Sequence, residues 1–516
     1  MTKSARLCIR FTVLIGAIVS LLLGSTFIGL YFFAGQPVAH LLAQTSNYLA
    51  YQRTGIVQKI GKRLIHSGVV NDWDARAGII DTDKDANPLL TAASPGQQFP
   101  YQRFDTRGAP IENKPGPFLA PENTRIVSVG SVKELLSAVS SARPGDIITL
   151  APGHYRLNGR SIPVRQPGTA EKPIYVRSSS LGASLLEMST LEGFHVTAPF
   201  WVFENLEIRG ICDSDKRCEH AFHVTGSGRS FTLRNSKLAD FNASIKVNGS
   251  GSEARMFYPD NGLLEYNQIT NNRPRKTNNP VTLININSVN NWVVRGNFIS
   301  DFSKNGGDHI SYGAFMKGGG SNGLFERNMV ICEHRLAPDR GIRIGLSLGG
   351  GGTGAKFCRN GDCNSEHTNG QMRNNIVLNC SRDVGIYLNR ASTTRLYNNL
   401  LHNTLGIDIR HATSSATIIN NIISGRIRAR EGGEFQAHNN LIDHLCLGAE
   451  RSNCSFDTIY AAPDLANFRL ELADDIIRGT GDILKLVQND FCNKPRDNYP
   501  DLGPIQYPDG LSCLKP

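Results

Sequence analysis

The chain has 516 residues, of which 40% are hydrophobic and 8% aromatic, and its formal net charge is +10. This length and composition can bury a large core, which predicts a globular protein. The 51 glycines and the few aromatic residues indicate many tight turns. They argue against a thickly packed helical protein and favour an all-β architecture.

The first element is an uncharged apolar run of 24 residues, 11–34. As a helix it is long enough to cross a bilayer core of roughly 30 Å. Lys3, Arg6 and Arg10 precede it and no acidic residue does, so the positive-inside rule leaves the N-terminus in the cytoplasm. Residues 1–35 are therefore predicted to be a cytoplasmic tail and a transmembrane signal anchor.

This anchor predicts that the bulk of the chain lies in the periplasm or outside the cell, attached to the inner membrane. A cleaved signal peptide is the alternative. Its apolar region is normally shorter, at about 7 to 15 residues, and here only Pro37-Val38-Ala39 offers a weak cleavage site.

The cysteines agree with export, because ten of the eleven follow the apolar run and disulfides persist in oxidising compartments. Four pairs would each close a short loop: Cys212–Cys218, Cys358–Cys363, Cys446–Cys454 and Cys492–Cys513. Cys332 and Cys380 remain for each other, and Cys8 falls on the cytoplasmic side. Zinc binding is the alternative, but the sequence has no CxxC pair.

The segment beyond the anchor contains 52 basic and 45 acidic residues. A basic surface outside the cytoplasm favours an anionic partner, either an acidic polysaccharide or the membrane surface, and argues against nucleic acid. A charge of this size could also serve solubility alone.

An asparagine recurs in front of short apolar runs along most of the chain. It occupies positions Asn205, Asn235, Asn267, Asn297, Asn328, Asn375, Asn399, Asn421 and Asn440. The steps are 30, 32, 30, 31, 47, 24, 22 and 19 residues, which indicates a solenoid with one coil per repeat and variable insertions.

Each coil contains runs of only three to six β-branched or aliphatic residues, a length typical of strands. Stacked coils would pair equivalent strands into parallel sheets, with the asparagine at one recurrent turn. Asparagine suits this turn because it tolerates the left-handed region and its amide can bond along the stack. Leucine-rich repeats have a similar period, but their leucine consensus is missing.

The start of this repeat region carries a family resemblance. The runs Pro144-Gly145-Asp146, Ala151-Pro152-Gly153-His154-Tyr155 and Gly168-Thr169-Ala170-Glu171-Lys172-Pro173-Ile174 resemble the capping helix and opening coil of the polysaccharide lyase family that holds chondroitinase B and alginate lyases. The resemblance implies a right-handed parallel β-helix, here over residues 127–445. Residues 36–126 are then a membrane-proximal stalk and wrapping segment, and residues 446–516 are a disulfide-containing C-terminal cap.

Alignment on the asparagines identifies one strand common to six coils. It covers residues 281–287, 313–318, 341–346, 385–390, 406–411 and 425–430. Strand alternation points one set of residues inward: Ile342, Ile344, Ile386, Leu388, Ile407 and Ile409. It points another set outward: Asn285, Asn287, Phe315, Lys317, Arg343, Tyr387, Asn389, Asp408, Arg410, Arg428 and Arg430.

The outward set forms a row of cations and amides that matches a linear polyanion. A solvated charged face is the alternative, but at least five basic residues here meet one carboxylate, and unpaired like charges on neighbouring strands repel one another.

The resemblance also implies a lyase that acts on a uronate-containing glycan. Such an enzyme needs a base, a cation at the carboxylate and a proton donor. Lys317 and Arg343 resemble the lysine base and arginine partner of the chondroitinase B family, and a neighbouring arginine would depress the lysine pKa. The family's calcium ion is possible, but no carboxylate stands in the positions directly before Lys317, so no metal or other cofactor is predicted.

Further residues are predicted to bind the substrate or to assist proton transfer. The substrate-binding candidates are His309, Tyr312, Tyr387, Asn389, Arg390, Arg410, His411, Arg428 and Arg430. The additional acid–base candidates are His309, Tyr312, His334 and His411. The glycine-rich stretch 345–367 is predicted to wall the groove. It lacks the strand, lysine and helix of a phosphate-binding loop.

The sequence therefore predicts an extracytoplasmic, monomeric polysaccharide lyase that cleaves an acidic glycan by β-elimination. Two alternatives remain open. A uronate epimerase would use a similar base and return the proton to the opposite face, and a non-catalytic β-helix protein would bind anionic glycan without a base.

Overall fold

A computed structural model describes residues 124–516 except 253–254, 337–339, 351–352, 444–455, 472–473, 508–513 and 515–516. The predicted anchor and stalk lie outside these residues. Within the described part, no helix combines the length and the apolar character that crossing a bilayer requires.

Three long parallel sheets extend from residue 126 to residue 443, and each complete coil adds one strand to each sheet. Sheet 1 consists of Ile126–Val129, Ile147–Leu150, Ile174–Ser178, Trp201–Glu204, Thr232–Arg234, Leu263–Glu265, Val293–Arg295, Leu324–Glu326, Gln371–Arg373, Thr394–Tyr397, Ser415–Ile419 and Glu434–His438. Sheet 2 consists of Ile162–Val164, Glu192–Val196, His220–Thr225, Ile245–Asn248, Val281–Asn287, Ile310–Lys317, Ile342–Leu348, Ile386–Asn389, Gly406–Arg410 and Arg426–Arg430. Sheet 3 consists of Gly153–Gly159, Ser184–Thr190, Glu207–Gly210, Lys237–Ala239, Gln268–Thr270, Phe298–Ser300, Met329–Ile331, Ile376–Cys380, Leu400–Thr404, Ile422–Ser424 and Leu441–Asp443.

Smaller elements decorate this stack. A short parallel sheet joins Gly320–Ser321, His367–Thr368 and Ala391–Ser392, and two antiparallel pairs join Ser250–Ser252 to Arg255–Phe257 and Tyr460–Ala462 to Asn467–Leu470. Among the described residues, the α-helices are Val132–Ser140, Phe456–Ile459 and Asp474–Ile477, and the 3-10 helices are Ala355–Phe357, Arg359–Gly361 and Pro463–Leu465.

The register between coils keeps equivalent side chains stacked. In sheet 2, Phe222, Ile245, Ile284, Ala314 and Leu346 follow one another in register, and all five are buried in the core. Burial of such apolar stacks is the main favourable term for a coil that cannot form a core alone. The predicted all-β parallel β-helix is thus confirmed, while its right-handed sense stays a prediction that agrees with the general handedness of parallel crossovers.

The predicted capping helix is also present at the start of the stack. Ser131 is the N-cap of Val132–Ser140, and its Oγ accepts a hydrogen bond from the Glu134 backbone N–H. Leu135 and Val139 point from this helix into the main core. The helix therefore covers apolar surface that the first coils would otherwise expose.

The recurrent asparagines stack as buried amides from one coil to the next. Side-chain Nδ2 to Oδ1 hydrogen bonds of 2.8–3.0 Å link Asn267, Asn297, Asn328, Asn375, Asn399, Asn421 and Asn440 in order. Each Oδ1 after the first also accepts the backbone N–H of the preceding asparagine. The predicted bonding along the stack is therefore confirmed.

In the later coils, the residue that adopts the left-handed conformation in this turn is not the predicted asparagine. There it is the residue before the stacked asparagine, as at Tyr266, Arg327 and Asn374, whereas Asn205 and Asn235 adopt positive φ themselves. The first two asparagines thus occupy a position one residue earlier than the others. Composition alone could not separate the two positions, because both favour asparagine.

Residues from Phe456 onward pack against sheet 3 of the β-helix. Phe456, Tyr460 and Phe468 belong to a cluster with apolar residues of sheet 3, among them Ile376 and Leu400. The outer face of sheet 3 is apolar in these coils, so a covering segment is required.

Three of the predicted disulfides are present in the structure: Cys212–Cys218, Cys332–Cys380 and Cys358–Cys363. The Cα atoms of Cys332 and Cys380 are 5.0 Å apart on neighbouring coils of sheet 3. The predicted pairs Cys446–Cys454 and Cys492–Cys513 involve residues outside the described ones.

We expect Asn375→Ala to lower the free energy of unfolding by at least about 2 kcal/mol, because it orphans several buried polar groups. The Asn375 amide bonds to Asn328, Asn399 and the carbonyl oxygen of Phe325. Denaturant unfolding should show this loss, and Asn305→Ala is the control because Asn305 is exposed. Equal stability of the two variants would contradict a structural role for the amide stack.

Candidate functional site on the outer face of sheet 2

The outer face of sheet 2 presents a continuous row of polar and aromatic side chains in register. From the N-terminal end it contains His195, His223, Lys246, Asn285, Phe315, Ser347, Tyr387, Asp408 and Arg428. Adjacent members are separated by about 4.8 Å, the spacing of paired strands. We call this set the central row.

A second outward position follows two residues later in most strands. It holds Asn287 and Lys317, which are in register, and farther along Asn389, Arg410 and Arg430. The structure thus places Lys317, Tyr387, Asn389, Arg410, Arg428 and Arg430 on the outward face, where alternation puts them.

Arg343 does not lie beside Lys317, and this prediction is wrong. The strand register pairs Arg343 with Ser311, whereas Lys317 is in register with Asn287. The Arg343 side chain is 2% exposed and forms an ion pair with Glu333, and its Nη1 donates to the carbonyl oxygen of Arg340 (3.0 Å). The guanidinium is therefore an internal structural group and is not available to a substrate carboxylate.

The error came from aligning this coil on the wrong glycine. Gly345, not Gly341, is stacked between Gly313 and Gly385. A Cβ added at Gly313 would contact the carbonyl oxygen of Gly345, and a Cβ added at Gly345 would contact that of Gly385. Ile342 and Ile344, predicted to face inward, consequently line an external cavity.

Lys246 is a candidate that the sequence interpretation missed. Two extra strands, Ser250–Ser252 and Arg255–Phe257, lie between the Lys246 strand, Ile245–Asn248, and Asn267. The distance from the strand to its asparagine is therefore longer in this coil than in most others, and the alignment on the asparagines did not include it. The alternation Ile245-x-Val247, which repeats Ile284-x-Ile286 of the next coil, is the signal that identifies the strand.

The Lys246 amine is held by amides and is strongly perturbed. Its Nζ donates to Asn285 Oδ1 (2.8 Å), which also accepts from Asn287 Nδ2 (2.7 Å). Burial and the positive charge of Lys317 lower the pKa of Lys246 to about 7. The lowered pKa favours the unprotonated amine, which is the form that a general base requires.

Lys317 has a different environment. Burial lowers its pKa, but the negative charge of Glu366 opposes this effect. Its Nζ also lies 4.8 Å from the centroid of the Phe315 ring, and a cation over an aromatic face is stabilised by the ring quadrupole. These contacts favour the ammonium form of Lys317, so the two lysines are suited to different tasks.

The outward arginines Arg410, Arg428 and Arg430 form ion pairs, in contrast to the expectation of unpaired cations. Asp408 accepts hydrogen bonds from Arg428 (2.6 and 2.9 Å) and Arg430 (2.8 Å). Glu431 pairs with Arg410 and His411, through contacts of 2.6 and 2.9 Å. Glu431 contributes a carboxylate that the strand alignment did not include.

A cavity of about 430 Å³ lies at the C-terminal part of this face. Its lining comprises Ile310, Tyr312, Ile342, Ile344, Gly350, Asp383, Tyr387, Asn389, Asp408, Arg410, His411 and Arg430. Asn389 donates to the hydroxyl oxygen of Tyr387 (3.0 Å), and its own Oδ1 is buried without a hydrogen-bond partner among the described residues. Burial raises the pKa of Tyr312 well above its ordinary value, which keeps that hydroxyl a donor.

Three predicted candidates lie away from the cavity. His309 and Arg390 are corner residues with positive φ, and neither lines it. His334 contacts Asp301 and the Phe298 ring on the sheet 3 side. These positions do not support a direct role for the three side chains at the central row.

The glycine-rich insertion after Leu348 folds back over earlier coils, beside the strand ends of sheet 2. Arg359 forms a bidentate pair with Asp260 (2.8 and 2.9 Å), and its guanidinium lies 4.3 Å from the Tyr258 ring centroid. An added Cβ at Gly350 would lie 2.6 Å from Lys317 Cδ, so the Gly350 backbone passes close to the Lys317 side chain. The insertion therefore borders Lys317, as the predicted wall would.

A calcium site of the kind known in the resembling family does not fit this face. Calcium prefers six to eight oxygen ligands. Among the described residues, the one group of three side chains arranged for a metal ion is Glu192, His195 and His223, with a single carboxylate and two imidazoles. We therefore derive no chemical step through calcium.

Comparison with known proteins gives a partial match. No protein-family model matches the chain. A 138-residue stretch is 26% identical to pectate lyase L of Dickeya chrysanthemi, covering 24% of this chain and 31% of the relative. A 129-residue stretch is 25% identical to pectate lyase L of Dickeya dadantii (strain 3937), covering 22% and 29%. The chain thus matches less than a third of the length of each relative.

Among solved structures, the chain is similar to pectate lyase Pel9A, with a TM-score of 0.48, 14% identity, and coverage of 74% of this chain and 97% of that one. It is also similar to an alginate lyase from Paenibacillus sp. str. FPU-7, with a TM-score of 0.37, 13% identity, and coverage of 62% and 96%.

The environment of Lys246 makes a direct prediction. We expect competitive labelling of amines, followed by mass spectrometry across pH, to give a titration midpoint of about 7 for Lys246. Lys317→Met should raise this midpoint because it removes a neighbouring positive charge, although burial still keeps it below the ordinary value of about 10.4. An unchanged midpoint in Lys317→Met would contradict the coupling. The exposed Lys133, labelled in the same sample, reports reagent consumption.

Proposed function

We propose that this protein is a polysaccharide lyase that cleaves a uronate-containing glycan by β-elimination. The observation that carries the proposal is the lysine pair on the outer face of sheet 2, in which the pKa of Lys246 is lowered to about 7 beside the cation Lys317. Neither amine forms an ion pair with a carboxylate within the described part of the chain. Two partly buried amines that lack a carboxylate ion pair suit an anionic ligand that supplies negative charge.

The two lysines have different roles in the reaction: Lys246 is the base, and Lys317 neutralises the carboxylate. Neutral Lys246 removes the proton from the carbon next to the uronate carboxylate, and the electron pair of that bond becomes the enolate. The enolate then forms the carbon–carbon double bond as the bond to the 4-linked oxygen breaks, and the departing oxygen takes a proton from water. The hydrogen bond of Lys246 to Asn285 (2.8 Å) fixes the position of its Nζ.

Lys317 neutralises the carboxylate. Negative charge on this group grows as the proton leaves, so a fixed cation stabilises the transition state more than the ground state. The sequence interpretation gave the base role to Lys317. We assign that role to Lys246, because Glu366 and the Phe315 ring favour the charged form of Lys317, whereas Lys246 has no such support.

The cavity beyond the lysines supplies further sugar-binding positions. Tyr312 and Tyr387 offer aromatic surface, and Arg410 and Arg430 offer donors to carboxylate or hydroxyl oxygens. Their ion pairs with Glu431 and Asp408 hold the guanidinium groups in place, which lowers the entropic cost of binding.

The sequence similarity to pectate lyase L supports the same class of reaction. That relative's name identifies a lyase of pectate, an acidic polysaccharide.

The test is turnover of pectate, alginate, chondroitin and dermatan sulfate, followed by the ultraviolet absorbance of unsaturated uronate. We expect Lys246→Met to lower the rate by about 10² to 10⁴, with binding retained. Lys317→Met should weaken both binding and rate, and Lys317→Arg should recover part of each because it restores the charge. Wild-type activity should rise with pH through about 7, as Lys246 loses its proton.

Lys133→Met is the matched control, because Lys133 is an exposed lysine on the capping helix. Normal turnover by Lys246→Met would remove it from the base role. Solvent hydrogen exchange into the sugar without an unsaturated product would indicate an epimerase, and binding without either reaction would indicate a glycan-binding protein.

We also propose that the catalytic region lies outside the cytoplasm and is held at the inner membrane by residues 11–34. The disulfides Cys212–Cys218, Cys332–Cys380 and Cys358–Cys363 support this location, because structural disulfides are rare in reducing compartments.

Fusions of two reporters to the C-terminus test the location. We expect activity from a reporter that works only outside the cytoplasm, with the fusion protein in the membrane fraction. Activity only from a cytoplasmic reporter would contradict the proposal, and a soluble chain that begins near His40 would show signal cleavage instead of anchoring.

A further inference from the structure

The N-terminal end of the central row holds two imidazoles and one carboxylate in close contact. His195 and His223 are in register on neighbouring strands, and their rings stack with centroids 5.2 Å apart. Their Nδ1 atoms approach the two oxygens of Glu192, at 2.7 Å for His223 and 4.0 Å for His195. One candidate ligand atom from each residue lies within 4.8 Å of the other two.

The outer nitrogens of both rings are held by neighbouring side chains. Asn248 Nδ2 donates to the Gly249 carbonyl oxygen (2.9 Å), which turns its Oδ1 toward His223 Nε2 (2.9 Å). His223 Nε2 therefore carries a proton, and His195 Nε2 contacts Thr225 Oγ1 (3.1 Å). Such contacts orient metal-bound histidines, because a partner on one nitrogen fixes the tautomer that leaves the other free.

With Nε2 protonated, a neutral His223 would point its Nδ1 lone pair at a carboxylate oxygen 2.7 Å away. Two electron-rich atoms at this distance need a cation between them, either a second proton or a metal ion. The half-buried position of all three residues strengthens this requirement, since water screens the contact less.

We propose that Glu192, His195 and His223 bind one divalent transition-metal ion of the Zn²⁺ class. The ligands would be a Glu192 oxygen and the Nδ1 atoms of both histidines. Two imidazoles with one carboxylate match the mixed donor set of zinc sites that keep an open position. The set has too few oxygens for Ca²⁺.

The site's position gives it a role in the proposed reaction. His223 is in register with Lys246, the proposed base, on the neighbouring strand. The ion would therefore lie about one strand spacing, roughly 4.8 Å, from the Lys246 strand. An open ligand position of the bound ion would accept an anionic oxygen of the sugar next to the cleaved one. This role rests on the proposed function, whereas metal binding itself does not.

The experiment is titration of the metal-free, untagged full-length chain with Co²⁺, followed by its visible absorption bands, and competition by Zn²⁺. We expect one ion per chain for the wild type, displaced by Zn²⁺ but not by excess Ca²⁺. Glu192→Gln, His195→Ala and His223→Ala should each weaken binding at least about tenfold. His154→Ala, which removes an exposed histidine elsewhere, should bind as the wild type does.

Circular dichroism of each variant separates loss of ligands from loss of fold, and Glu192→Gln keeps the shape of the side chain. Absence of stoichiometric Co²⁺ or Zn²⁺ binding by the wild type, or equal binding by all variants, would overturn the metal site. Lyase activity that survives in a metal-free wild type would leave the lysine mechanism standing and remove only the ion's role in it. Metal binding by a chain without lyase activity would refute the proposed function and leave the site intact.

Discussion

The constant register between coils is the constraint on which the rest of the structure depends. Buried amides from Asn267 to Asn440 bond from coil to coil, and each also satisfies a backbone N–H of its neighbour. Because a shift by one residue would turn every core side chain outward, this stack fixes which residues reach the outer face of sheet 2. Side chains that are remote in sequence, such as Lys246 and Lys317, are thereby held near each other.

The cations on the outer face of sheet 2 differ in whether a carboxylate pairs with them, and this difference separates the lysines from the arginines. Asp408 and Glu431 neutralise the arginines of the last coils, and Glu333 neutralises Arg343 in the interior. Lys246 and Lys317 lack such partners in the described structure and have lowered pKa values as a result of burial. Perturbed amines of this kind are typical of functional sites.

The sequence was sufficient for the architecture and for part of the site. Short alternating strands and the asparagine repeat predicted the parallel sheets, and alternation placed Lys317, Tyr387 and Arg410 outward. Arg343 was misplaced because Gly341 and Gly345 both precede an aliphatic residue, and only three-dimensional stacking distinguishes them. Lys246 was missed because an inserted hairpin interrupts the period. Depressed pKa values depend on burial, which no local pattern encodes.

We infer that a uronate binds across the lysine pair, with its acidic carbon at Lys246 and its carboxylate at Lys317. A structure of Lys246→Met with a bound uronate oligosaccharide tests this most directly. We expect a sugar chain along the outer face of sheet 2, with a carboxylate within hydrogen-bond distance of Lys317 Nζ and the adjacent carbon facing residue 246. A glycan bound to another face, or one whose carboxylate lies away from Lys317, would contradict it.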